Sequence, residues 1–299
     1  MTTAATREGL FAGLLAGLCD DAALFPPGNL PLVEAVPAHV EHLASGHRGL
    51  VGPFVVSAAD VPALGALLGS AEAGSFEVAV TVPEPSGLAA ALTAAAGVPQ
   101  VRVVAVEVAV PIGVDPAQVV PDLDSAVTDR RDLEAYVELP RDDRRPALLA
   151  ALAATRYHAK LRTGGVRADL YPDEDELAAA VLACVTAGVA FKATAGLHHA
   201  VRNTDPTTGF EQHGFLNLLA AVDAAQRGAD HGEVAALLAQ RDAAAVAARV
   251  AALDGRAGPV RDAFHSFGTC SIDDPRTELT ALGLLDPTPD PTHQGASRW

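Results

Sequence analysis

From residue 50 onward, short runs rich in Val and Phe alternate with longer Ala/Leu segments whose apolar positions recur at helical spacing. LVGPFVVS, FEVAVTVP, VRVVAVEVAVP, LEAYVELP, YHAKLRTGG and VAFKATAG read as strands. DVPALGALLGSAEA, PSGLAAALTAAAG, DPAQVVPDLDSA, DDRRPALLAALAAT and DEDELAAAVLACVTAG read as the helices that separate them. The period is about 25 to 30 residues, which is the signature of βα units in a parallel sheet. After residue 203 the rhythm lengthens: two successive helices, GFEQHGFLNLLAAVDAAQRG and HGEVAALLAQRDAAAVAARVAALDG, precede a last strand, DAFHSFGTCS, and a short helix, DPRTELTALGLL. One further strand is expected at residues 22–25, ahead of the double proline and the helical PLVEAVPAHVEHLASGH. The result is an α/β fold, a (β/α)8 TIM-type barrel in a single domain. It is expected to span residues 1–285 with an N-terminal helix, followed by a polar, Pro-rich tail at residues 286–299. Neither GxGxxG nor GxxxxGK[ST] occurs, so the nucleotide-binding folds lack their motifs.

Composition fits this picture and narrows the partners. Hydrophobic residues make up 49% of the chain and aromatic residues only 4%, so the core must be built from Ala, Val and Leu. A formal net charge of -16 repels nucleic-acid backbones and anionic membranes at long range, and neither is expected as a partner. The N-terminal apolar run has one early Arg, three glycines and an acidic end, which fits an amphipathic helix better than a signal peptide. No apolar run approaches the roughly 20 residues that span a bilayer, so a soluble, cytoplasmic protein is expected. Cys19, Cys184 and Cys270 are widely spaced and odd in number, as reduced thiols would be. Barrels commonly form dimers; a homo-oligomer is compatible with the sequence, which marks no interface.

Only two of the 21 Lys and Arg residues are lysine, and both fall in strand-like runs, Lys160 in YHAKLR and Lys192 in AFKAT. Arg cannot lose its proton, whereas a desolvated Lys can become a nucleophile. Strand periodicity puts His158, Lys160 and Arg162 on one face, and Ala190, Lys192 and Thr194 on one face of the next strand. A buried unpaired charge costs several kcal/mol, so these side chains should point into the barrel and away from the apolar helix layer. Two ammonium groups in one low-dielectric pocket repel, which should push one toward neutrality and equip it to form an imine with a carbonyl. Alternatively each lysine pairs with a carboxylate and only stabilises the barrel.

Glu107 interrupts VRVVAVEVAVP and Glu138 ends LEAYVELP, so either can pair with a lysine or act as general base. Asp20 and Asp21 carry the same logic more weakly, because acidic pairs also cap turns; Asp21 is taken as a substrate contact. The turns TGG, with Gly164 and Gly165, and TAG, with Thr194 and Gly196, should present backbone N–H groups to an anion beside Arg162 and Arg202. His198 and His199 follow the seventh strand and point in opposite directions, so one faces the site: His198 as proton shuttle or His199 as substrate contact. Metal binding has weaker support, from His39 and His42 three residues apart on a solvated helix face and from scattered histidines including His213 and His265. Ser266 and Cys270 rank lower, and no GxSxG elbow is present.

Lysines on the sixth and seventh strands, each followed by a Thr/Gly turn, resemble the class I aldolases of barrel fold, most of all the deoxyribose-phosphate aldolase family. In that family one lysine forms the Schiff base and a second, on the neighbouring strand, lowers its pKa. The matching positions are Lys160 and Lys192, and Lys192-Ala193-Thr194-Ala195-Gly196 is similar to the family's Schiff-base turn, so either lysine can be the nucleophile. DDAALFPPGN, GLHHAVRNTD and FHSFGTCS resemble an uncharacterised bacterial protein family. The expected function is a lysine-dependent lyase acting on a small carbonyl compound with an anionic group, which requires neither a cofactor nor a metal. The alternatives are a metal-dependent hydrolase or lyase using Asp20, Glu107, Glu138 and His198 or His199, and a non-catalytic barrel that binds an anionic metabolite.

Overall fold

The barrel strands are β1 (Cys19–Asp21), β2 (Val51–Ser57), β3 (Phe76–Val82), β4 (Val101–Val108), β5 (Glu134–Glu138), β6 (His158–Arg162), β7 (Phe191–Thr194) and β8 (Phe264–Thr269). They run parallel and close in the order β1-β8-β7-β6-β5-β4-β3-β2 in this computed structural model, which describes residues 11–69 and 71–286. The helices are α1 (Leu32–Ala44), α2 (Val61–Leu68), α3 (Leu88–Ala96), α4 (Pro116–Val127), α5 (Arg145–Ala153), α6 (Glu174–Ala187), α7 (Phe215–Gln226), α8 (His231–Ala239), α9 (Ala243–Ala251), α10 (Ala257–Ala263) and α11 (Asp273–Ala281). The expected eight-stranded α/β barrel is therefore the observed one. Most of the expected N-terminal helix, and the Pro-rich tail beyond residue 286, lie outside the described residues. Among those described, no helix is long and apolar enough to cross a membrane.

Each strand divides its side chains by polarity. Val56, Val78, Val80, Val106, Val137, Leu161 and Ala193 join the main core against helix residues such as Leu64, Leu92, Leu123, Leu148 and Leu177. Burial of each such Val or Leu contributes about 1.5–3 kcal/mol, so a one-residue slip on any strand would forfeit several of these at once. The alternate residues point inward, where a small apolar cluster of Val55, Ala79, Ala105 and Tyr136 underlies the charged groups. Local signals set the helix ends. Asp173 caps α6 by accepting from the Glu176 N–H at 2.8 Å, and Gly188 ends it in the left-handed region.

Two expectations change. The first strand is Cys19–Asp21, not residues 22–25, because the acidic pair itself pairs with β2 and β8. A charged CDD segment has no strand-like hydrophobicity, and only its neighbours in the barrel make it one. The long second helix expected over residues 231–255 is broken into α8 and α9, with Asp242 capping α9 through the N–H groups of Ala244 and Ala245, and α10 is a further short helix ahead of β8. Local capping wins there over a continuous Ala-rich pattern.

Register carries the site. Glu138, Lys160 and Lys192 lie side by side in one row across β5, β6 and β7. Between β7 and β8 the ladder steps from Phe264–Phe191 to Phe267–Ala193, three residues on β8 against two on β7. This bulge lets two consecutive residues, His265 and Ser266, both face the interior.

Candidate active site

Asp20, Glu107, Glu138, Lys160, Lys192 and Arg162 meet at the C-terminal half of the barrel, the end where barrel enzymes place their chemistry. Lys160 Nζ lies 2.8 Å from Glu107 Oε2 and 3.1 Å from Glu138 Oε2. Lys192 Nζ donates to Asp20 Oδ2 at 2.5 Å and to Glu107 Oε1 in a shorter contact. Glu107 thus bridges both ammonium groups through its two oxygens. Ser266 Oγ donates to Asp20 Oδ2 at 2.8 Å, and Arg162 Nε donates to Glu138 Oε1 at 2.8 Å. Gly52 in β2 leaves the space that the Asp20 carboxylate occupies, since a Cβ there would overlap Oδ1.

The two lysines are not equivalent. A cavity of about 540 Å³ opens above the row, and Lys160, Glu107, Glu138, Arg162, Thr194, Gly165 and His198 line it together with Ala22, Phe25, Val55, Val82 and Leu170. Lys192 is 1% exposed, does not line this cavity, and sits 5.4 Å from the Tyr136 ring centroid beneath it. The lysine that can meet a ligand is therefore Lys160.

Electrostatics differ from the sequence expectation of one neutral amine. Burial lowers the pKa of both lysines, but Glu107 and Glu138 at Lys160, and Asp20 and Glu107 at Lys192, more than offset it and raise both above the ordinary lysine value. Three carboxylates balance Lys160, Lys192 and Arg162, and attraction to them exceeds the repulsion between the amines. Burial pushes the Glu107 carboxyl up, yet Lys160 and Lys192 hold it down at about 2. Glu138 is lowered in the same way, with burial opposed by Lys160 and Arg162. At Asp20 burial outweighs Lys192 and Ser266, so its carboxyl lies above the usual range and is the first of the three to take a proton on acidification.

A pH dependence follows from these signs. Glu107 has a depressed folded-state pKa, so its contribution to stability is present above its ordinary value of 4.5 and is lost as pH falls toward about 2. Asp20, raised, acts in the opposite sense and offsets part of that loss. Urea midpoints of the native chain should fall steeply across this acid window, and those of Glu107→Gln should fall less. An equal acid slope in the two proteins would contradict the assignment.

The remaining expected residues separate by their contacts. His198 reaches the cavity, burial keeps its pKa below the ordinary value, and its Nδ1 lies 3.4 Å from Cys270 Sγ. His199 turns away and pairs through Nδ1 with Glu278 Oε1 at 2.6 Å. Arg202 does not reach the cavity; it is buried and paired with Glu174 at 2.6 Å and Glu211 at 3.4 Å. Asp21 points outward to α1, accepting from Ala23 N–H and lying 2.9 Å from His39 Nδ1. Its neighbour Asp20 enters the site because successive strand residues alternate faces. Gly165 lines the cavity, but Gly164 and Gly196 pack backbone to backbone behind it, where a Cβ on Gly196 would lie 2.8 Å from Gly164 Cα. Those glycines join the β6 and β7 turns, and the expected anion cradle is reduced to Gly165, Thr194 and Arg162.

The metal groupings expected from histidine spacing do not form. His39 is buried between the Phe54 and Phe76 rings instead of lying on a solvated face, and His213 hydrogen-bonds Pro172 O at 2.8 Å, away from His265. Sequence reasoning passed over Tyr136, although it shares a strand face with Glu138 two residues on. It ranked Ser266 low, and a bulge leaves no local signal that would have raised it. No protein-family model matches the chain, and no curated protein matches it either.

Proposed function

We propose that the chain is an aldolase-type lyase that holds its substrate as an imine on Lys160. The observation that supports this reading is the buried Lys160 amine at the floor of a cavity, with two carboxylates within hydrogen-bond reach and a second ammonium behind it. Lys160 would pass a proton to Glu138 and attack the carbonyl carbon; the same proton is returned to the departing hydroxyl, water leaves, and a protonated imine remains. A base then takes the proton of the substrate's β-hydroxyl, and the bond between the α and β carbons breaks with its electron pair drawn toward the positive imine nitrogen. The β fragment departs as a carbonyl compound, and the resulting enamine is protonated at the α carbon and hydrolysed by water to free Lys160. His198 and the Glu107/Glu138 pair are placed for the proton transfers. Lys192, held as a permanent cation, keeps Glu107 ionised as a counter-charge beside the nucleophile. Arg162, partly exposed at the cavity wall, suits the anionic group of the substrate, and the apolar walls suit a small carbon skeleton.

Sodium borohydride reduction in the presence of small aldehydes and keto acids tests the reading. A substrate-dependent mass increase is expected on the peptide carrying Lys160 and none on that carrying Lys192. The trapping yield should rise with pH between about 7 and 9, since the raised pKa of Lys160 leaves little neutral amine at lower pH. Absence of any adduct on Lys160 would remove the imine mechanism. The protonated state of both lysines favours a second reading, an anion-binding barrel without chemistry. The metal-dependent alternative has less support, because Asp20, Glu107 and Glu138 are already neutralised by ammonium and guanidinium groups.

A further inference from the structure

A second polar group occupies the opposite end of the barrel and takes no part in the lysine chemistry. Glu134 and His158 are the first residues of β5 and β6, and His265 is the second residue of β8, turned inward by the bulge. One ligand atom from each of the three lies within 4.8 Å of the others. His158 Nε2 is 2.6 Å from Glu134 Oε2, and the His158 and His265 rings stand edge to face with centroids 4.7 Å apart. Tyr136 OH lies 2.8 Å from His265 Nδ1, which orients that ring and leaves Nε2 as its second nitrogen.

We propose that Glu134, His158 and His265 form a site for one divalent transition-metal ion of the zinc class at the N-terminal end of the barrel. Two imidazoles and one carboxylate are a donor set that such ions accept, with water in the remaining position. Ligand bonds of about 2.0–2.1 Å place tetrahedral donors roughly 3.3 Å apart, so the present 4.8 Å limit closes with side-chain shifts of about 1 Å or less per ligand. The ion replaces the Glu134–His158 hydrogen bond, while His265 Nδ1–H donating to the Tyr136 hydroxyl oxygen serves as the outer contact that typically fixes a ligating ring and leaves Nε2 free to bind the ion. Glu134 is exposed, so the site has an entry path from solvent and supplies one negative charge of its own. The three ligands come from β5, β6 and β8, which makes the ion a clamp across the base of the barrel, remote from the cavity that Lys160 lines.

The test uses the full chain, free of affinity tag, stripped with chelator and titrated with zinc sulfate under calorimetry and metal analysis. One equivalent should bind, and at zinc about a hundredfold above its dissociation constant the Tm should rise by about 4 °C. Glu134→Gln and His158→Gln should each weaken binding by more than about 100-fold, whereas His231→Gln, on an exposed helix start, should leave it unchanged. Glu134 is exposed at a strand start, so its variant should fold even where a buried His265 variant does not. Failure of the native chain to bind one equivalent, or unaltered binding in both ligand variants, would overturn the proposal. Neither result bears on the imine reading, which borohydride trapping tests separately.

Discussion

Replacing Lys160 by arginine is expected to lower turnover at least about a thousandfold while leaving the barrel folded. Arginine retains the positive charge that Glu107 and Glu138 require, at 2.8 and 3.1 Å from the present amine, so the buried carboxylates keep a partner. What it lacks is a nitrogen that can lose a proton and enter a covalent bond. An unreactive anionic ligand should still bind Lys160→Arg within about tenfold of the native chain, because Arg162 and the cavity walls are untouched. The two measurements separate covalent chemistry from mere attraction. A variant that keeps turnover would show that Lys160 serves as a fixed charge and that the reaction does not pass through an imine on it.

The largest loss of stability is expected from Glu107→Gln. The amide has nearly the same shape, so packing is preserved and the change isolates one charge. That charge bridges two ammonium groups at a position 2% exposed, and its removal leaves Lys160, Lys192 and Arg162 facing only Asp20 and Glu138. An uncompensated buried cation costs about 3–5 kcal/mol, a large fraction of the roughly 5–15 kcal/mol that holds a typical domain folded. Urea denaturation should show a lower midpoint with an unchanged slope, since the surface exposed on unfolding is the same. Glu138→Gln offers the contrast. Its carboxylate is 16% exposed and shares its load with water, so a smaller loss is expected. Equal losses in the two variants would mean that burial does not govern the energetics of this cluster.

The lysine pair was legible because two facts are local. Lysine occurs twice, and each instance sits on the polar face of an otherwise apolar strand. Their partners were legible to different degrees. Glu107 and Glu138 stand out as charges inside hydrophobic runs, whereas Asp20 and Asp21 look alike in sequence and differ only in which side of β1 each occupies. Arg202 looked like an anion ligand from its proximity in the chain, but the fold spends it on Glu174 and Glu211. The protonation of the lysines was not legible for a related reason. Like-charge repulsion between Lys160 and Lys192 can be inferred from neighbouring strands, but the carboxylates that outweigh it come from β1, β4 and β5.

Hydrophobic periodicity by itself determined the α/β barrel class and seven of its eight strands, the inward direction of Lys160 and Lys192, and their placement on adjacent sixth and seventh strands, while the first strand, Cys19–Asp21, carries no such signal. These follow from short-range rules: side chains alternate along a strand, and charges avoid an apolar layer. Only the tertiary structure decided that Lys160 meets the cavity and Lys192 lies beneath it, that Asp20 and not Asp21 enters the cluster, and that the β8 bulge turns both His265 and Ser266 inward. Those outcomes depend on the height of each residue along the barrel axis and on the register between strands. Both are set by packing and pairing among residues up to about two hundred and fifty positions apart, as in the Ser266–Asp20 hydrogen bond, and leave no mark on any local stretch of the chain.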